Sequence, residues 1–107
     1  MEERELYVRE LLDAYRVTPG TSGRVRRADR LLADQLYERG VPLLVVHSAL
    51  ALAAARRLSR PADAPPLTPI RSLAYFVSVI DELLAADPDP DYFLYLRNKL
   101  QHLLAQR

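Results

Sequence analysis

The chain has 107 residues, no cysteine and a formal net charge of +1, and half of its residues are hydrophobic. That size suits one domain with a core of its own and leaves no room for two ordinary ones. The absence of cysteine excludes a disulfide scaffold, a thiolate zinc site and thiol catalysis. The hydrophobic fraction argues against overall disorder.

The start, Met1-Glu2-Glu3-Arg4-Glu5, is acidic and polar, so no secretory signal is expected. The longest apolar run, residues 42–55, is interrupted by His47 and Ser48. It falls short of the roughly 20 residues a membrane helix needs, so no membrane span is expected and the location expected is cytoplasmic. Charge is distributed unevenly. Residues 1–13 carry five acids and two arginines, residues 16–60 nine arginines and three acids, and residues 81–91 five acids and no base. Arginine outnumbers lysine fourteen to one. This bias fits bidentate phosphate contacts, and a GC-rich coding sequence produces it equally well.

In chain order, the first predicted helix covers about residues 3–16, with Val8, Leu11, Leu12 and Tyr15 at i, i+3, i+4, i+7. Its acidic first turn suits the helix dipole. Residues 18–23 read as a loop, and Ser22 is placed to cap the next helix. That second helix is expected over about residues 24–39, with Val25, Ala28, Leu32 and Leu36 inward and Arg26, Arg27, Arg30, Asp34 and Glu38 outward. Gly40 is placed to end it in the left-handed conformation. A third helix, about residues 42–59, is apolar almost all round, the mark of a central helix. Residues 61–69 contain four prolines and form a connector. Thr68 then caps a fourth helix that starts at Pro69 and carries Ile70, Leu73, Val77, Ile80 and Leu84 on one face. After Asp87-Pro88-Asp89-Pro90 a fifth helix runs to about residue 106, with Phe93, Leu96, Leu100, Leu103 and Leu104 on one face. The predicted fold is all-α: a single-domain bundle of about five helices around a hydrophobic third, with residues 69–106 available as a C-terminal hairpin.

Two features bear on function. Gly40-Val41-Pro42 between two helices has the helix-turn-helix format, with Leu36, Val41, Val46 and Ala49 at matching core positions. Its reading positions would be Pro42, Leu43, Leu44, His47 and Ser48, which offer base edges few hydrogen bonds, so a structural helix corner is the simpler reading. The second feature is an arginine set. Arg24, Arg26, Arg27 and Arg30 crowd the start of the second helix, and Arg56, Arg57 and Arg60 the end of the third. An antiparallel pair would bring them to one end as a phosphate-binding patch that Arg71 can join. Arginine late in a helix is favoured by the dipole, whereas arginine early in a helix opposes it. The same patch suits the acidic residues 81–91, or the acidic first helix, of this chain or a neighbour.

The remaining candidates carry less. His47 lies in an apolar run and reads as a hydrogen-bonded core residue, and His102 reads as solvated; neither has the company a metal site requires. Asp81, Glu82, Asp87, Asp89 and Asp91 read as solvent-facing or capping, not as an acid–base pair across a cleft. Ser22 lacks the lysine and strand of a phosphate loop. Tyr75, Phe76, Tyr92, Phe93 and Tyr95 suit base stacking or, more commonly, packing between the fourth and fifth helices.

The order from the basic helix pair at Gly40-Val41-Pro42, through the Ala-rich helix ending in Arg56-Arg57 and the proline connector, to Ile70-Arg71-Ser72-Leu73-Ala74-Tyr75-Phe76-Val77-Ser78-Val79-Ile80 resembles a known module. It is similar to the helical module of DnaD-like and plasmid- or phage-type replication initiation proteins, over about residues 24–84. The Tyr-x-x-x-Ile spacing of that module is approximated by Phe76 and Ile80, or by Tyr75 and Val79, while Leu84 and Ala85 stand where it usually carries a tryptophan. The resemblance implies binding of DNA or of a helicase-loading partner without catalysis. The expectation is thus a non-enzymatic DNA-associated accessory module for replication or a mobile element, with no cofactor or metal, contacting phosphates through the eight arginines named. The alternative is an assembly subunit that uses the same patch against an acidic partner or its own copy.

Overall fold

The spacing of apolar residues at three and four produces the first, third and fifth helices close to their expected bounds, while the second and fourth start later than expected. The computed structural model describes residues 2–106. They form α1 (Glu3–Val17), α2 (Arg27–Glu38), α3 (Leu43–Leu58), a 3-10 turn (Leu73–Phe76) that leads into α4 (Val77–Ala86), and α5 (Tyr92–Ala105). There is no strand among the described residues. The α3 helix is the axis: Val46, Ala49, Leu50, Ala51, Ala53, Ala54 and Ala55 are all buried. Its alanines let α1, α4 and α5 approach closely. The α2 helix packs instead on α1 and on the 3-10 turn. Leu11, Tyr15, Leu36, Leu73, Phe76 and Ile80 are fully enclosed where these elements meet. Each such side chain contributes roughly 1.5–3 kcal/mol by burial. Phe76 meets Tyr15 edge-on at a centroid distance of 6.0 Å.

The Gly40 corner forms as expected. Gly40 is left-handed at φ 72°. Its N–H donates to the Tyr37 carbonyl at 2.9 Å, and the Val41 N–H donates to the Leu36 carbonyl at 3.1 Å. This is a Schellman ending, in which two carbonyls without helical partners are satisfied and the next apolar side chain, Val41, is turned into the core. The Tyr7 hydroxyl donates to the Val41 carbonyl at 2.8 Å and ties α1 to the corner.

Three local expectations are corrected. First, α2 begins at Arg27, so Arg24 lies before it and Arg26 is its extended N-cap residue. Its inward face is Asp29, Ala33 and Leu36, while Ala28 is exposed. Ser22 does not cap it; the Ser22 hydroxyl accepts only a long bond from the Arg24 N–H at 3.4 Å. The cap is Asp29, whose carboxylate accepts the Arg26 N–H at 2.9 Å. Second, no helix starts at Pro69. The Ile70 N–H donates to the Gly20 carbonyl at 2.7 Å and the Ser22 N–H to the Ile70 carbonyl at 2.8 Å, a single parallel bridge that keeps residues 70–72 extended. Ser72 caps the 3-10 turn by accepting the Ala74 N–H at 3.1 Å. Third, residues 69–106 are not a free-standing hairpin, because α4 and α5 each pack on α3. The aromatic residues behave likewise. Phe93 lies against His47 at 5.8 Å, Tyr92 stacks on Tyr95 within α5, and Phe76 joins α1.

Asp29 is 1 % exposed. Its second oxygen accepts the Leu73 N–H at 2.9 Å, so one carboxylate holds both the start of α2 and the start of the 3-10 turn. A buried carboxylate is tolerable only when it is hydrogen-bonded in this way. Replacing Asp29 with Ala leaves two backbone donors without acceptors, and we expect a loss of about 2–4 kcal/mol. Thermal unfolding followed by circular dichroism should show a fall in Tm of at least about 8 °C. Asp29→Asn, which keeps one acceptor oxygen, should fall between the two.

Candidate nucleic-acid interface

The fold sorts the eight candidate arginines into five and three. Arg24, Arg26, Arg27, Arg30 and Arg71 are exposed, and among the described residues none has a carboxylate within ion-pairing distance. The Asp29 clasp gathers them. Arg26, Arg27 and Arg30 surround the first turn of α2, Arg24 follows the bridged Ser22, and Arg71 follows the bridged Ile70. The positive end of the α2 dipole lies at the same corner, so these cations sit where helix electrostatics disfavours them.

The other three are engaged within the chain. Arg56 forms a two-pronged pair with Glu82, at 2.9 and 2.6 Å. This hydrogen bonding raises the pKa of Arg56 and lowers that of Glu82. Arg57 donates to the Thr68 carbonyl at 2.8 Å and to the Tyr75 hydroxyl at 3.5 Å, and its guanidinium lies 5.7 Å from the Tyr75 ring centre. It also packs on Gly20, where an added Cβ would sit 3.1 Å from the Arg57 Nε and the backbone is left-handed at φ 93°. Arg60 donates to the Pro65 carbonyl at 2.9 Å. Arg57 alone of these three reaches the seam where residues 20–22 lie beside 68–70, so the eight arginines do not merge into a single patch of free cations.

The acidic stretches are partly neutralised in the same way. Asp81 pairs with Arg39 at 3.1 Å, and Arg4 reaches both Asp34 and Glu38 from α1. Asp87, Asp89 and Asp91 remain exposed around the Asp-Pro turn. Asp87 and Asp89 share a rim with the start of α3. A cavity of about 140 Å³ there is lined by Pro42, Leu44, Ser48, Asp87 and Asp89. An apolar helix start bordered by aspartates is a poor surface for base edges.

His47 is half-buried against Phe93, with no hydrogen bond to its ring among the described residues, so the hydrogen-bonded core histidine is corrected to an aromatic contact in a groove. Burial lowers its pKa, and Glu10 opposes this weakly. His102 is exposed beside Gln106. Among the described residues no three His, Asp or Glu side chains converge as a metal site would require. The buried Tyr15 hydroxyl has no hydrogen-bond partner among the described residues. Burial and the Asp29 charge raise its pKa, while Arg26 opposes them. Sequence reasoning missed Asp29 because an acid among arginines reads as surface; its signal was the spacing of three from Arg26, the interval of a helix-start cap. Comparison with family models, with curated proteins and with solved structures gives no match.

Two measurements separate the roles. Arg57→Ala removes two hydrogen bonds and a cation–π contact, together about 1–3 kcal/mol, and should lower Tm. Arg27→Ala, with no partner to lose, should leave stability within about 0.5 kcal/mol of the wild type. For His47 the folded pKa lies below its ordinary 6.5. Its contribution is therefore complete above pH 6.5 and is lost as the pH falls from there through the folded value. Melts between about pH 7.5 and 5 should decline less steeply for His47→Gln than for the wild type.

Proposed function

We propose that this chain is a non-enzymatic helical module that binds the phosphate backbone of DNA through the corner formed by Arg24, Arg26, Arg27, Arg30 and Arg71. The observation that carries this reading is that these five are exposed and without carboxylate ion pairs among the described residues, three of them at a helix start that disfavours cations and the other two beside segments hydrogen-bonded to it or to each other. Guanidinium groups left free in this way suit bidentate phosphate contacts. Binding is largely independent of sequence, because phosphate contacts position a protein without reading bases. The resemblance to the helical module of DnaD-like replication initiators supports a place in replication or in a mobile element. A second reading, assembly with an acidic partner or another copy, draws on the exposed Asp87, Asp89 and Asp91.

Fluorescence anisotropy with labelled duplex DNA, at low and moderate salt, tests the proposal. With four to five phosphates neutralised, the slope of log K against log salt should be about −4. The quadruple variant Arg24→Ala, Arg26→Ala, Arg27→Ala, Arg30→Ala should lose most of the binding and of that slope. Arg56→Ala, whose guanidinium is already committed to Glu82, should change both far less. No binding at low salt would sink the DNA reading and leave the assembly reading, in which the same variant alters the oligomeric state.

A further inference from the structure

A cavity of about 500 Å³ lies between the end of α3 and the start of α4, lined in part by Arg56, Arg57, Arg60, Leu67, Tyr75 and Ser78. Its size falls within the range of small-ligand sites, about 300–1,000 Å³. Its electrostatics are cationic, since three guanidinium groups face one carboxylate, Glu82, which Arg56 already holds. Arg57 is fixed by the Thr68 carbonyl, Tyr75 and the close approach of Gly20. Two of its N–H groups are used there, and a guanidinium has five. Arg60 touches only the Pro65 carbonyl.

The walls are not only charged. Tyr75 is 47 % exposed and Leu67 46 % exposed. A half-exposed aromatic ring with a pinned guanidinium against it is the combination that receives a planar base together with a phosphate. Backbone phosphate binding alone would need neither the ring nor the concavity.

We infer that this groove holds one nucleotide unit, its base stacked on Tyr75 and its phosphate on Arg57 and Arg60. A duplex keeps its bases stacked inside, so a groove of this kind favours single-stranded over double-stranded nucleic acid. The inference rests on the phosphate-binding reading for its polymeric source. It also links to the proposed corner, because Arg71 precedes Tyr75 by four residues on the same extended-to-helical segment. A free mononucleotide has the same chemistry and is the other source.

The test is anisotropy at constant salt with a labelled oligothymidylate and a labelled duplex of equal length, alongside a titration with dTMP followed by NMR. Tyr75→Leu keeps an apolar side chain against Phe76 and removes the ring; it should weaken oligothymidylate binding by about 5- to 100-fold, while duplex binding changes less than about twofold. Tyr75→Phe should bind like the wild type. Arg60→Ala, away from the ring and its packing, should weaken the single strand several-fold and serves if Tyr75→Leu melts early. Saturable dTMP binding lost in Tyr75→Leu identifies the free nucleotide as the ligand, and the groove stands. Equal losses on strand and duplex, or no loss with either Tyr75→Leu or Arg60→Ala, overturn the groove and leave the duplex-binding corner intact. A wild type that binds neither strand nor dTMP overturns the groove, and one that also fails to bind the duplex overturns the corner as well.

Discussion

The carboxylate of Asp29 is the joint on which the start of α2 and the 3-10 turn depend. It lies in the core, yet both its oxygens are used: one accepts the Arg26 N–H and the other the Leu73 N–H. Leu73 lies 44 residues further along the chain than Asp29 itself. A carboxylate without such partners would be expelled to water or neutralised. Here it fixes where α2 starts, keeps residues 70–72 extended beside the Gly20 loop, and sets the register of the 3-10 turn. The cations at the start of α2 and after Ile70 share one corner because this anion clasps the backbone beneath them.

Around that joint the chain neutralises its own polarity selectively. Opposite charges on different helices find each other, as Arg39 with Asp81, Arg56 with Glu82, and Arg4 with Asp34 and Glu38. Exposed pairs of this sort contribute little stability individually. Their consequence is electrostatic: they commit Arg4, Arg39 and Arg56 and leave the five arginines around the Asp29 clasp among those without ion pairs. Arg57 serves differently, as a strut between the Gly20 loop, the proline connector and Tyr75. The proline-rich segment is therefore anchored at its Thr68 end and, through Arg60, at Pro65.

Much of the candidate site was legible. The crowding of arginine at the start of α2 was visible as a cluster opposed to the helix dipole, and the Gly40 corner followed from one glycine and one proline. The expectation that seven arginines would pool at one end of an antiparallel pair was too simple. It used the α2–α3 connection alone, whereas α2 leans on α1 and the 3-10 turn. Which arginines stay free depends on distant carboxylates, such as Glu82, which is 26 residues from Arg56. No local pattern encodes that.

The sequence by itself determined the helices, because their apolar residues recur at three and four, and their ends, because Gly40 and the Asp-Pro turn break them. It determined the alanine-lined α3 as the axis, since a helix apolar on every side must be covered on every side. Tertiary structure decided the rest. It turned Asp29 inward, drew Ile70 into a bridge with the Gly20 loop in place of a helix start, and separated committed from free arginines. Those outcomes depend on which backbone donors and distant charges meet in space, and hydrogen bonds and ion pairs act over a few ångströms whatever the separation along the chain.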